Sequence, residues 1–177
     1  MNTTPEMEEA NKAVIKMLWL LVLALIPLFI AFVIYSINPY SETLNFIARS
    51  TINLPAVMSA NSPLLSKVMD VYVKTAPAFA FLVFLMTHKK LNFKHNRSIG
   101  YTLKIYLYFT IFYAIMIYAF LFSDTELTEK TKLLKLASMN DVFLLILYVS
   151  LYSAIYMFGY LYLWFTVGIY REIKERR

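Results

Sequence analysis

Four long apolar stretches constrain the fold of this chain more than any other feature of the sequence. The first, residues 17–37, has 21 residues and no charge, which is enough for a helix to cross the hydrocarbon core of a bilayer. The others lie at about 66–87, 102–122 and 142–170. Because a backbone in lipid has to satisfy its own hydrogen bonds, the pattern predicts an all-α, polytopic membrane protein with a four-transmembrane-helix bundle. Residues 1–177 are predicted to form a single membrane domain.

The amino-acid composition agrees with this class and narrows the chemistry. Hydrophobic residues make up 60% of the 177 residues and aromatic residues 17%, which is too apolar for an ordinary soluble domain of this length. There are no cysteines, so disulfides, thiolate metal sites and thiol nucleophiles are excluded. The net charge of +6 comes from basic residues at the ends of the apolar stretches, where lipid headgroups are the expected partners. No nucleic-acid partner is predicted.

Sequence signatures of catalysis are missing from the chain. There is no His-Glu-x-x-His pair, no Gly-x-Ser-x-Gly and no glycine-rich phosphate loop. Both histidines, His88 and His95, lie in a basic connector, where a solvated role is the expectation. We therefore predict that the protein is not an enzyme and that it has no catalytic or metal-binding residues, no cofactor and no small-molecule substrate.

The distribution of basic residues predicts the orientation of the chain in the membrane. The N-terminal tail, the second connector and the C-terminal tail together carry ten Lys and Arg, whereas the first and third loops carry four, or five with Lys67 at the start of the second span. Cytoplasmic loops are enriched in Lys and Arg, so both termini are predicted to be cytoplasmic and loops 38–62 and 123–141 periplasmic. The stretch 17–37 is longer than a signal-peptide core and has no Ala-x-Ala site behind it, so we expect it to remain as an anchor.

A charged stripe in the second stretch is unusual for a membrane helix. Ser62 and Pro63 mark the start of the helix as the N-cap and the first helical residue. Lys67, Asp70 and Lys74 then share one helical face. Lys67 lies near the helix start and is expected to be an ordinary interfacial residue that snorkels to the membrane surface. Lys74 lies about 18 Å along the axis, so for Asp70 with Lys74 partner recognition and structural pairing stay equally open.

Other local patterns predict a bend, two short helices and a cap. Pro77 cannot donate to a helical carbonyl, which predicts a bend beside the stripe. At the start of the first loop, one apolar face predicts a short helix that lies on the membrane surface. That face consists of Tyr40, Leu44, Ile47 and Ala48. Residues 123–126 match a capping box, so the third loop is expected to open with a short helix. Asn140 and Asp141 are expected to cap the fourth span.

Tyrosines repeat at four-residue spacing in the fourth stretch and form what we call the tyrosine ridge. Its members are Tyr148, Tyr152, Tyr156 and Tyr160. Such a ridge is typical of a packing seam in which hydroxyl groups bond across helices. A partner helix inserted in the membrane could use the same face, so both readings stay open.

The run 67–77 and several shorter motifs match the pattern of a known family. The run reads Lys-Val-Met-Asp-Val-Tyr-Val-Lys-Thr-Ala-Pro. The shorter motifs are Leu-Ile-Pro-Leu at 25–28, Ser-Thr at 50–51, Asn-Leu-Pro at 53–55, Glu-Leu-Thr at 126–128, Asn-Asp at 140–141 and Leu-Tyr-Ser at 151–153. On these residues the chain resembles the immunity proteins against pore-forming colicins of the colicin A type. The resemblance covers nearly the whole chain and is most specific in the first loop and the second span.

The resemblance implies a bacterial, plasmid-encoded, multi-pass protein of the inner membrane that protects a colicin-producing cell. Such proteins intercept the pore-forming domain of the toxin at the membrane and prevent a conducting channel through contact between helices, without catalysis or a cofactor. The implied partners are the pore-forming domain of a colicin and membrane lipid. The candidate toxin-binding residues are Asp70, Tyr72, Lys74, Asn140 and Asp141, although the resemblance by itself does not show that they touch the toxin.

Two alternatives remain open at the level of the sequence. The first is a small inner-membrane channel or transporter component, in which Asp70 and Lys74 line a permeation path. The second is an accessory subunit of a larger membrane assembly, which would copurify with a host protein in the absence of any colicin.

Overall fold

The computed structural model describes residues 5–88, 99–127 and 132–175. Except for His88, the predicted basic connector between the second and third spans lies outside the described residues. Thr128 of the Glu-Leu-Thr motif and the last two residues of the C-terminal tail also lie outside them.

Helices account for most of the described chain. They are α1 (Pro5–Ile37), α2 (Glu42–Ser50), α3 (Pro63–Val73), α4 (Ala76–Thr87), α5 (Ile99–Leu121), α6 (Lys132–Ser138) and α7 (Asp141–Glu175), and the two strands are β1 (Val57–Met58) and β2 (Thr125–Glu126). Four segments of the described chain are long and apolar enough to cross a membrane, namely Asn11–Ile37, Pro63–Thr87, Gly100–Leu121 and Asp141–Lys174. The prediction of an all-α, polytopic bundle is therefore confirmed, while the cytoplasmic position of the termini stays a prediction.

Helix α7 lies at the centre of the bundle. It packs against α1, α3, α4, α5 and α6. Its inward face carries the tyrosine ridge together with the fully buried Leu144 and Ile155. Ring stacking attaches α5, because Tyr162 of α7 stacks on both Tyr106 and Tyr113 at centroid separations of 5.9 and 4.7 Å. The hydrophobic core is thus assembled around the last of the four spans.

The second span consists of two helices rather than one bent helix. Helix α3 ends at Val73, α4 begins at Ala76, and Lys74 and Thr75 form the turn between them. Pro77 has no N–H to offer the Val73 carbonyl, so the α-helical hydrogen-bond ladder is interrupted at this point. The Thr75 hydroxyl donates to the Tyr72 carbonyl at 2.7 Å and closes the turn. The proline therefore has the effect expected from the sequence, in the form of a break beside the charged stripe.

Helix α3 is enclosed by protein and faces little lipid. Its residues from Leu65 to Asp70 are all buried, although two of them carry charges. The surrounding elements are α1, α2, α7 and strand β1. Because a helix that is buried all round exposes no polar face to lipid, the charges of the stripe lie in a protein interior and not in the hydrocarbon.

The short helix predicted after the first span is present as α2, and its apolar face packs against the bundle except at Tyr40. Leu44 is buried against Ala31 of α1 and Val68 of α3, with Ile47 and Ala48 packed alongside. Tyr40, expected on the same face, is 85% exposed. The small side chains of Ala31 and Val68 leave room for Leu44, so part of the apolar face packs within the bundle, while a position of α2 at the membrane surface stays a prediction.

The third loop opens with a strand and not with the predicted short helix. Thr125 and Glu126 pair in parallel with Val57 and Met58 of the first loop. The side chain of Asp124, taken from the sequence as part of a capping box, accepts a hydrogen bond from the Ala56 N–H at 3.4 Å. The prediction was wrong because the first loop offers unpaired backbone groups that compete with a local cap, and a sequence pattern does not reveal them.

Candidate functional site

Asp70 and Lys74 form an ion pair across one turn of the second span. They are four residues apart, and the side chains are 3% and 14% exposed. The Lys74 ammonium also donates to the carbonyl of Pro55, at 2.7 Å. Asp70 and Lys74 therefore partly neutralise each other, and Lys74 also bonds the first loop to the second span. The pairing considered from the sequence is present.

Lys67 differs from the expectation for an interfacial residue. Only 8% of it is exposed, and its ammonium donates to the carbonyl of Leu54 at 2.7 Å. Because the first loop folds over α3, an acceptor lies within reach of the side chain and snorkelling to the membrane surface is unnecessary. The prediction that Lys67 is an ordinary interfacial residue was wrong for this reason.

Residues 54–57 of the first loop form a segment in which four successive carbonyl groups are all hydrogen-bonded to other elements. We call it the clamped segment. The first two carbonyls accept from Lys67 and Lys74. The Ala56 carbonyl accepts from the Thr125 N–H at 3.3 Å, and the Val57 carbonyl accepts from the Tyr148 hydroxyl at 2.5 Å. A buried carbonyl without a donor costs about 1–3 kcal/mol, so these donors from α3, the turn after it, β2 and α7 stabilise this non-helical backbone.

Tyr72 serves the packing of the bundle. Its hydroxyl donates to the Ala24 carbonyl of α1 at 2.7 Å, and its ring stacks on Tyr152 at a centroid distance of 5.3 Å. The hydroxyl of Tyr152 lies close to Tyr72 and Thr75 but is buried without a well-formed hydrogen bond to any described residue. Tyr72 therefore joins α3 to α1 and α7 at the level where the second span is broken.

Asn140 and Asp141 lie at the start of α7, as the sequence predicted. The side-chain oxygen of Asn140 accepts from the Val142 N–H at 2.8 Å, which is N-cap geometry. The carboxylate of Asp141 accepts from the hydroxyl of Ser62, the residue before α3. The two helix starts are thereby bonded to each other, and Asn140 itself remains exposed.

The first and third loops are bonded into one surface at this end of the bundle. The hydroxyl of Ser59 and the amide of Asn61 both donate to the Ser138 carbonyl, at 3.0 and 3.1 Å. Together with the β1–β2 pair, these bonds fix the clamped segment relative to the start of α7. We call the joined loops, residues 51–62 and 122–141 as far as they are described, the loop surface.

The five candidate residues fall into two groups with different partners. Asp70, Tyr72 and Lys74 are bonded within the bundle, whereas Asn140 and Asp141 belong to the loop surface. Sequence reasoning missed Tyr148 and the clamped segment as part of this arrangement. The seven-residue spacing of Lys67 and Lys74 was the available signal, because two cations on one buried face require acceptors from elsewhere in the chain.

The described residues offer no obvious place for a metal ion. No group of three or more His, Asp or Glu side chains comes close enough together there to hold one.

The geometry defines an all-α membrane protein in which buried charges and tyrosines hold its own loops and helices in place. The chain belongs to the colicin immunity protein family, whose model matches residues 40–177. It is 36% identical over 157 residues to the colicin-A immunity protein of Citrobacter freundii, covering 89% of this chain and 88% of that protein.

Two further relatives come from Escherichia coli. The colicin-B immunity protein is 31% identical over 156 residues, which cover 88% of this chain and 89% of the relative. The colicin-N immunity protein is 43% identical over 107 residues, which cover 60% of this chain and 82% of the relative. No solved structure shows significant similarity to the chain.

Proposed function

We propose that this protein protects a bacterial cell from a pore-forming colicin by binding the channel domain of the toxin in the inner membrane and preventing the pore from opening. The observation that carries the proposal is the similarity to the colicin-A and colicin-B immunity proteins over nearly nine tenths of the chain. The protein acts as an inhibitor through binding, with membrane lipid as its surroundings and without a chemical step.

The structure offers two kinds of surface for such binding. Helix α5 exposes a broad apolar face, including Leu107, Ile111 and Ile115, on which a hydrophobic segment of a toxin can pack within the bilayer. Association in lipid depends on close packing and on interhelical hydrogen bonds of roughly 1 kcal/mol each, so several contacts act together. On the loop surface, Asn140 and Asp141 are accessible enough to meet the toxin directly.

The buried candidates act indirectly in this proposal. Asp70, Tyr72 and Lys74 hold α3, α1 and the first loop together, and the toxin meets the surfaces that they support. The same contacts do not favour a channel component, because Asp70 and Lys74 are bonded to each other and Lys74 also donates to the Pro55 carbonyl.

A survival assay tests the proposal. The chain is expressed in a colicin-sensitive Escherichia coli strain that is then challenged with a panel of pore-forming colicins including A, B and N. We expect survival at a dose of at least one colicin that kills cells with an empty vector. A nuclease colicin is the control and should kill both strains, because protection directed at a channel domain does not stop a nuclease. Killing by every pore-forming colicin, while the protein accumulates in the membrane, would contradict the proposal.

A further inference from the structure

The clamped segment accepts more hydrogen bonds from other elements than a connecting loop needs to form its own turns. Four successive carbonyl groups accept from four donors, which lie in α3, in the turn after it, in β2 and in α7. The preceding residues Ile52 and Asn53 are exposed, at the rim of the loop surface. The clamped segment therefore fixes the backbone next to a short exposed turn, residues 51–54.

The donors also differ in charge. Comparing them therefore separates the effect of a hydrogen bond to the first loop from the effect of a positive charge. Lys67 and Lys74 are cations with flexible stems, and Asp70 balances one of them. Tyr148 is neutral, is fully buried and contributes the same kind of bond to the Val57 carbonyl of the segment. The common property of the three donors is that each fixes the backbone of the first loop.

We infer that Lys67, Lys74 and Tyr148 are positioning residues for toxin recognition, which act by holding residues 51–54 at a fixed place relative to the start of α7. This inference rests on the proposed function. The three side chains do not meet the toxin themselves. A turn that is ordered before binding loses little conformational entropy in the complex, so loosening it lowers affinity without removing a single toxin contact.

Spin-label distances test the position of the turn. The chain has no cysteine, so the double substitution Asn53→Cys with Met139→Cys places two labels only at exposed sites, one on the turn and one before α7. We expect a narrow distance distribution in the otherwise unchanged protein. Lys67→Met and Tyr148→Phe should broaden it, because each leaves a carbonyl of the clamped segment without its donor. Lys67→Arg keeps a donor and should keep the distribution narrow.

The same variants, without labels, are compared in the survival assay. We expect Lys67→Met and Tyr148→Phe to reduce protection about tenfold or more while the proteins still accumulate in the membrane. Lys67→Arg should protect fully. Lys16→Met removes an exposed charge from α1, outside the loop surface, and should change neither protection nor the distance distribution, which excludes a general charge effect.

A second label pair distinguishes local loosening from unfolding. Ile37 at the end of α1 is exposed and receives none of the three donors, so the distance from Ile37→Cys to Met139→Cys should stay narrow in every variant. If Lys67→Met does not accumulate, Tyr148→Phe decides the question, because it retains the buried ring.

Two outcomes would overturn the inference. One is lost protection with a narrow distribution between positions 53 and 139, which would indicate direct toxin contact by the substituted side chain. The other is full protection with a broadened distribution. Failure of the unmodified protein to protect against any colicin overturns the proposed function instead, and the toxin part of the inference with it, whereas the label distances still show whether the donors hold the turn.

Discussion

At the scale of single residues, the four members of the tyrosine ridge have different hydrogen-bonding roles. Tyr148 donates to the clamped segment, Tyr156 donates to the Met17 carbonyl of α1 at 3.1 Å, and Tyr160 bonds the Thr87 hydroxyl of α4 at 2.8 Å. Tyr152 contributes its ring, while its hydroxyl is without a well-formed bond to a described residue. One sequence repeat therefore serves one loop and three different helices.

This difference predicts unequal effects of removing a hydroxyl group. Tyr156→Phe should lower the free energy of unfolding by about 0.5–1.5 kcal/mol, because the interhelical bond to α1 is lost. Tyr152→Phe should leave it unchanged within about 0.5 kcal/mol, since the ring stack on Tyr72 remains. Unfolding by SDS in mixed micelles measures both, and equal losses would show that the Tyr152 hydroxyl is bonded after all.

Some contacts of single side chains could be predicted from the sequence and others could not. A tyrosine repeat and a Lys-Asp-Lys stripe at helical spacing were enough to favour a packing seam and to offer an Asp70–Lys74 pair as one of two open interpretations. The acceptors of Lys67, Lys74 and Tyr148 were out of reach, because they are carbonyls of an irregular loop whose path depends on tertiary contacts and not on local preference.

At the scale of elements, α4 and α5 both meet α7 at Gly159. A Cβ atom at this position would lie 3.2 Å from the Ala80 Cβ of α4 and 3.2 Å from the Tyr113 hydroxyl of α5. Small residues allow helix backbones in membranes to approach closely, and here one glycine serves two helices at once. The break between α3 and α4 follows from Pro77 and could be predicted from the sequence. The β1–β2 pair could not, since it joins loops far apart in the chain.

Filling this contact should separate the helices. We expect Gly159→Val to lower the free energy of unfolding by about 1–3 kcal/mol, because branched carbon atoms force either α4 or α5 outward. Gly159→Ala should have a smaller effect of the same sign. Ser150→Val, at an exposed position of the same helix, is the matched control and should stay near the unmodified value in the same micelle titration. A neutral Gly159→Val would show that Tyr113 can move aside freely.

At the scale of the whole molecule, the loops at one end are joined into a single surface. Hydrogen bonds link the first loop to the third at Ser138, at Asp141 and through the β1–β2 pair. The number and length of the spans could be predicted from the apolar stretches, because helices that cross a bilayer need a minimum length. The contacts between the loops could not be predicted, because polar loop residues carry no periodic signal.

The orientation of the molecule can be measured directly. From the excess of basic residues, we expect reporter fusions at Lys94 and at the C-terminus to give cytoplasmic signals and a fusion at Lys132 to give a periplasmic one. Lys94 lies outside the described residues, and Lys132 begins α6. Reversed signals would place the loop surface in the cytoplasm and remove it from the side at which a colicin arrives.

The central position of α7 also sets an order for biogenesis. The charged helix α3 is enclosed only when α7 packs against it, and Tyr148 follows its acceptor Val57 by 91 residues in the chain. A ribosome therefore delivers the second span long before the partner that shields it. Until the fourth span emerges, Lys67, Asp70 and Lys74 have the partners that precede it in the chain but lack the side of their enclosure that α7 provides.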